Sequence, residues 1–231
     1  MSARATRSGS RSAETREAIM AAAERLYAEH GPSAVSNRQI GEAAGQGNVA
    51  AVGYHFGSKA ELVRALIDRH AEPIERIRQR LLAETGDSRE VRDWVACLVR
   101  PAPEHLASLG VPSWYARFGA QVMTDPLLSA LVTDDALMRA PLARTLRGLG
   151  HCLDHLPADV RRQRGQMARL LITHTCAEQE RVLAERPGAS QASWQETAAA
   201  LTDAITGLLL APVTPAASAP VTTPHPRTSH P

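Results

Sequence analysis

Residues 36–62 read SNRQIGEAAGQGNVAAVGYHFGSKAEL. Ser36, with Gln39 three residues on, has the form of a capping box, in which cap and third residue satisfy each other's backbone N–H groups. It predicts a short helix through Ile40 and Ala43-Ala44. Gly45-Gln46-Gly47-Asn48 reads as a tight turn, because glycine tolerates positive φ. A second short helix is expected over about Val49 to Tyr54, and Gly57 then breaks the chain. Ser58 with Glu61 repeats the capping-box pattern and opens a long helix.

The flanks extend the helical pattern in both directions. Upstream, Ile19, Ala22, Ala23, Leu26 and Tyr27 recur at helical spacing, so a helix is expected from about Ala13 to His30, ended by Gly31-Pro32. Residues 1–12 are rich in Ser, Arg and Gly and are expected as an irregular basic arm carrying Arg4, Arg7 and Arg11. Downstream, Leu62, Leu66, Ile74, Ile77 and Leu81 share one side of the long helix, with Pro73 as an expected kink. Asp87 and Glu90 are candidate caps for a helix through Val91, Val95 and Leu98. Further helices are expected near 103–109, 113–123, 126–133, 135–155, 158–186 and 190–210. No segment alternates with a period of two between hairpin turns, so the reading is all-α. Residues 212–231 are Pro, Thr, Ser and Ala and read as an irregular tail.

Composition narrows the class. The chain has 231 residues, 44% of them apolar and only 3% aromatic, so the core is expected to rest on Ala, Leu, Val and Ile. A net charge of +2 does not by itself announce a polyanion. Lys59 is the single lysine among 26 basic side chains and stands out against an arginine background. Cys97, Cys152 and Cys176 are far apart and odd in number, which suits a reducing cytoplasm rather than a disulfide framework. No basic-then-apolar leader and no run of about 20 apolar residues is present, so a soluble cytoplasmic protein is expected.

Two short helices held by a close turn meet a known demand. The major groove of DNA admits one helix, and its neighbour must hold it at a steep angle. Ala43, Ala44 and Gly45 supply small residues where the helices touch, and Ile40 and Val52 supply an apolar underside.

Residues 15–66 resemble the DNA-binding domain of TetR-family regulators. The resemblance rests on AAERLYAEHG ending the first helix, SNRQIGEAAG in the second, and YHFGSKAEL leaving the recognition helix. It implies an all-α fold of about nine or ten helices: a three-helix DNA-binding head at 13–60 and a larger helical ligand-binding and dimerisation domain at 61–211. Gly45 to Phe56 is one residue longer than the family's common spacing, and Gly53 stands where many members carry a phosphate-contacting tyrosine, with Tyr54 beside it.

Carried over residue by residue, the resemblance gives Arg38 a base edge, most plausibly guanine. Asn48, Val49, Ala50 and Ala51 become the exposed start of the recognition helix, Asn48 suited to adenine and Val49 or Ala50 to a thymine methyl. Tyr54 and His55 are expected at the sugar-phosphate backbone, with His55 alternatively packing the small core beside Phe56. Lys59 is expected on a phosphate at a helix N-terminus, and the arginine arm is either a further contact or a solubilising segment.

The partners implied are double-stranded DNA, a second copy of the chain joined through the last two long helices, and a small-molecule effector; no cofactor, metal or enzymatic activity is expected. Met167, Leu170, Leu171, His174 and Ala177 form one candidate stripe and Trp194, Ala198, Leu201, Ile205 and Leu208 another, facing either a partner or the chain's own core. Trp114, Tyr115, Phe118, Met123 and Leu127 are candidate walls of an effector pocket or the main packing centre, and Arg117 could meet a ligand carboxylate or pair with Asp125. His151 and His155, four apart, read as a solvated pair or as a metal site with Asp154 and with His174 or Cys176, the basis of a metal-responsive or hydrolytic alternative. The three cysteines leave a redox-responsive alternative.

Overall fold

The computed structural model describes residues 2–48, 50–185 and 191–214, excepting the side chains of 2–10, 191 and 192. The described residues form eleven α-helices and no strand: α1 (Ser2–His30), α2 (Asn37–Ala43), α3 (Ala51–Phe56), α4 (Lys59–Thr85), α5 (Val91–Val99), α6 (Pro101–Leu109), α7 (Tyr115–Thr124), α8 (Pro126–Leu137), α9 (Ala140–Cys152), α10 (Ala158–Glu185) and α11 (Gln191–Leu210). Among the described residues, no helix is long and apolar enough to cross a membrane. The expected tail lies outside the described residues beyond position 214.

Local chemistry explains the element ends. Both capping boxes form: Ser36 accepts from the Gln39 N–H and Ser58 from the Glu61 N–H, and each partner side chain answers the cap's own N–H. Gly31, Gly45 and Gly57 adopt φ of 80°, 68° and 69° where the chain leaves α1, α2 and α3.

Several boundaries differ from expectation. The backbone is helical from Ser2, where an irregular arm was expected; Ala3, Arg4, Ala5 and Arg7 are good helix formers and extend α1 backwards. Glu90 stands at the cap of α5 but makes no side-chain cap bond. α6 starts at Pro101, earlier than expected, because the first turn of a helix needs no N–H partner. The helix expected over 135–155 is two: α8 runs on to Leu137, and Pro141 sits in the first turn of α9.

Two apolar cores form. One gathers Ile19 and Tyr27 of α1, Ile40 of α2, Val52 and Phe56 of α3 and Leu62 and Leu66 of α4, and closes with Phe118 and Val122 of α7. The expected boundary at residue 60 thus falls within one continuous core. The other joins Leu81 of α4, Trp94 and Val95 of α5, Leu149 of α9, and Trp194 and Ile205 of α11.

The two C-terminal stripes part company. Trp194, Ala198, Leu201 and Ile205 of α11 are buried against their own chain, where α11 packs on α5, α6 and α10. On α10, Met167, Leu170 and Leu171 are 41%, 45% and 40% exposed.

Candidate nucleic-acid interface

The short helix α3 is held from below. Val52 and Phe56 are buried at 2% and 7% exposure, while Tyr54 between them is 82% exposed. Positions 52 and 56 share a helix face one turn apart, so Gly53 and Tyr54 must face outwards. Arg16 of α1 lies over the Phe56 ring with its guanidinium carbon 4.8 Å from the centroid, bracing α3 from the side.

α3 begins at Ala51, later than expected, and the Asn48 side-chain oxygen accepts the Ala50 N–H at 2.9 Å. One lone pair of the Asn48 amide oxygen thus serves the turn before α3, and its second lone pair and amide N–H groups are not used by that bond. Val49 lies outside the described residues. Ala50 is exposed and Ala51 half-buried.

The other expected contacts divide. Arg38 is exposed, with Nε 3.7 Å from Glu42 one turn on, a loose pair that leaves the guanidinium accessible. Tyr54 meets the ring of His55 edge-on at 5.2 Å, and His55 is half-buried. Lys59 is half-buried, and its Nζ donates to the backbone carbonyls of Pro32 and Val35, fastening the α1–α2 loop to the start of α4. In this arrangement the ammonium holds the head's shape, and backbone N–H groups at the start of α4 are the remaining anion donors there.

The expected pocket residues do not line one chamber. Phe118 is fully buried against Tyr27, ring centroids 6.1 Å apart. Tyr115 stacks on His70 at 3.9 Å, and Met123 packs against the head core. Leu127 is 84% exposed, because Asp125 caps α8 and turns Leu128 inward instead. Trp114 alone of the five borders an open groove of about 520 Å³, with Ala22, Glu24, Ala44 and His70. Arg117 pairs with Glu180 at 3.2 Å, not with Asp125. α9 stops at Cys152, so His151 and His155 do not share a helix face, and the described residues include no group of three or more His, Cys, Asp or Glu placed to hold a metal.

Sequence reading missed a buried polar chain beneath the head. His70 of α4 places Nε2 at 2.9 Å from the Glu24 carboxylate of α1 and Nδ1 at 2.8 Å from His105 Nε2 of α6. Glu24, His70 and His105 are 9%, 5% and 4% exposed. The available signal was position: Met20-Glu24-Ala28 and Leu62-Leu66-His70 each put a polar residue on a buried stripe with a four-residue step.

A supported short helix with an apolar underside and an exposed outer face has the geometry to enter a groove. The family model described as bacterial regulatory proteins, tetR family, matches residues 19–66. Residues 19–66 thus form a TetR-type helix-turn-helix segment. The match takes in α2 and α3 whole, with the buried half of α1 and the first turns of α4. A TetR-type head makes the chain a DNA-binding transcriptional regulator. No curated protein matches the chain.

Proposed function

We propose that the chain is a homodimeric repressor whose paired heads bind a palindromic operator in the cytoplasm and which a small-molecule effector releases. The observation that carries this reading is α3, buried at Val52 and Phe56 and open at Tyr54. Ala50, Ala51 and Tyr54, with Arg38 and the turn at Asn48, meet the duplex; Val49 and His55 flank them. One head spans about one half-site, and a twofold mate supplies the second. The exposed Met167, Leu170 and Leu171 of α10, with the exposed Ala200 and Ala204 of α11, suit a close helix-to-helix dimer contact. Residues 13–60 act as the reader and 61–211 as the sensing and dimerising part.

An effector site fits the open recess of about 640 Å³ between α5, α6 and α11, bordered by Ala96, Ala107, Trp194 and Ala198, better than the aromatic stretch at 114–127. Release requires the effector to favour the DNA-incompetent arrangement, since equal affinity for both would shift nothing. A redox trigger is disfavoured: burial pushes the thiols of Cys97 and Cys152 up and that of Cys176 up to about 12, so the reactive thiolate is scarce.

The test is fluorescence anisotropy with duplexes selected from a random pool, together with sedimentation of the free protein and the complex. A palindromic consensus, one duplex per two chains, and affinity that falls steeply with salt are expected. A chain that stays monomeric, or that retains no duplex in low salt, overturns the reading.

A further inference from the structure

The chain of contacts Glu24–His70–His105 joins three helices through buried polar side chains. Glu24 lies on α1, within the head; His70 on α4; His105 on α6, outside it. Tyr115 of α7 covers the pair, stacked on His70 at 3.9 Å and edge-on to His105 at 6.0 Å. The hydrogens have one consistent neutral arrangement. A carboxylate only accepts, so His70 Nε2–H donates to Glu24; His70 Nδ1 is then an acceptor, and His105 Nε2–H donates to it.

In this arrangement His105 Nδ1 is the position left for a proton, and a proton there makes a cation of a ring that is 4% exposed and covered by Tyr115, where burial opposes the charge.

We propose that Glu24–His70–His105 is a proton-released tie between the DNA-reading head and α6, closed when His105 is neutral and opened when His105 is protonated. Burial, and then the neighbouring His70, hold the His105 imidazole down to about 4, against an ordinary value of 6.5. The groups facing the pair are Glu24 from α1, Arg76 from α4 and Tyr115 from α7, with Arg139 beyond Tyr115. Glu24 favours the cation and Arg76 opposes it. Arg69, which lies next to His70, is engaged by Glu17.

The sign follows from linkage. The open form binds the proton at the ordinary value and the closed form only near 4, so the closed tie is fully favoured above 6.5 and weakens as pH falls from there towards 4. Between about pH 7.5 and about pH 5.5 the open fraction rises about tenfold.

Hydrogen exchange of the full chain, followed in the α1 segment around Glu24 and corrected for its intrinsic pH dependence, reads this opening without any DNA. The wild type is expected to show the tenfold rise. His105→Gln, which keeps an N–H donor for His70 but does not titrate, is expected to stay within about twofold, while His30→Gln and His155→Gln keep the wild-type response. A flat wild-type profile, or a tenfold rise retained in His105→Gln, overturns the proposal. Should His105→Gln not fold, the wild-type profile and the two control variants still decide it: a rise abolished by His30→Gln or His155→Gln places the titration elsewhere. Its consequence for DNA rests on the reading of α3 above and is a separate arm: affinity for a selected duplex falls with acid in the wild type but not in His105→Gln. A chain that binds no duplex but shows the tenfold opening sinks the regulator reading and leaves the tie standing.

Discussion

Glu180, buried near the end of α10, accepts the backbone N–H of Arg117 in the first turn of α7 at 2.9 Å. The same carboxylate takes the Ala116 N–H at 3.2 Å, the Ser113 hydroxyl at 2.8 Å and Arg117 Nε at 3.2 Å. A distant helix thus supplies the N-terminal cap that Trp114, the local cap residue, lacks. Because α7 lies against both α1 and α10, this contact fixes one end of the path between the head and the exposed face of α10.

Removing that carboxylate strands the first-turn donors and a half-buried guanidinium. Glu180→Ala is expected to cost about 3 kcal/mol in urea unfolding. Glu180→Gln, which still offers one acceptor, is expected to cost less. Equal stability of Glu180→Ala and wild type would show that water replaces the carboxylate freely.

Gly148 on α9 sits flat against the Trp94 indole, and a Cβ there would lie inside the contact distance of three ring carbons. Gly148→Ala is expected to lower stability by about 2 kcal/mol or more, since indole and helix must separate. Gly150→Ala, where a Cβ meets nothing within 4 Å, is the matched control and is expected to be neutral or slightly stabilising. Thermal melting of the two variants side by side checks the difference.

Val52 and Tyr54 separate folding from reading. Val52→Ala is expected to destabilise the head by about 1–2 kcal/mol, because it empties part of a closed core. Tyr54→Ala, at an exposed position, is expected to leave the melting temperature unchanged and to weaken duplex binding at least about tenfold, in line with a lost backbone-positioning contact. A Tyr54→Ala protein that binds DNA like wild type would remove that residue from the interface.

The α10 face makes a prediction about assembly. Leu170→Glu with Leu171→Glu is expected to give a monomer in sedimentation equilibrium while the helical circular dichroism persists, because both side chains are exposed in the single chain. A dimer that survives both charges would place the contact elsewhere.

Much of the head was legible in advance for a local reason. A capping box is complete within four residues, so Ser36–Gln39 and Ser58–Glu61 could be read off the sequence. The turn at Gly45 and the inward Val52 and Phe56 follow from the same short-range rules. What could not be read depends on partners far along the chain. Arg117 pairs 63 residues away rather than with Asp125, eight positions on. Lys59 reaches 24 residues back to Val35, and no helix-start rule anticipates a loop carbonyl as its partner. Phe118 and Leu127 share an apolar stretch, yet one closes the head core and the other faces water. The difference is the Asp125 cap, which resets helical phase between α7 and α8. Glu24, His70 and Glu180 left a trace, each being a polar residue on an otherwise buried stripe, but the identity of each partner required the fold.

The ring of Phe118 against Tyr27 has a consequence for how such a protein can be taken apart. The segment that recognises DNA owns only part of its own interior; the rest arrives from a helix some fifty residues beyond the end of the family match. A fragment trimmed to the matched segment would bare an aromatic face to water, and a graft of it onto another sensor would need a replacement for α7 as well. Exchange of specificity between relatives of this chain is therefore easiest at Asn48, Ala50 and Tyr54, on the outer surface, and hardest along the seam where two sequence-distant helices share one hydrophobic interior.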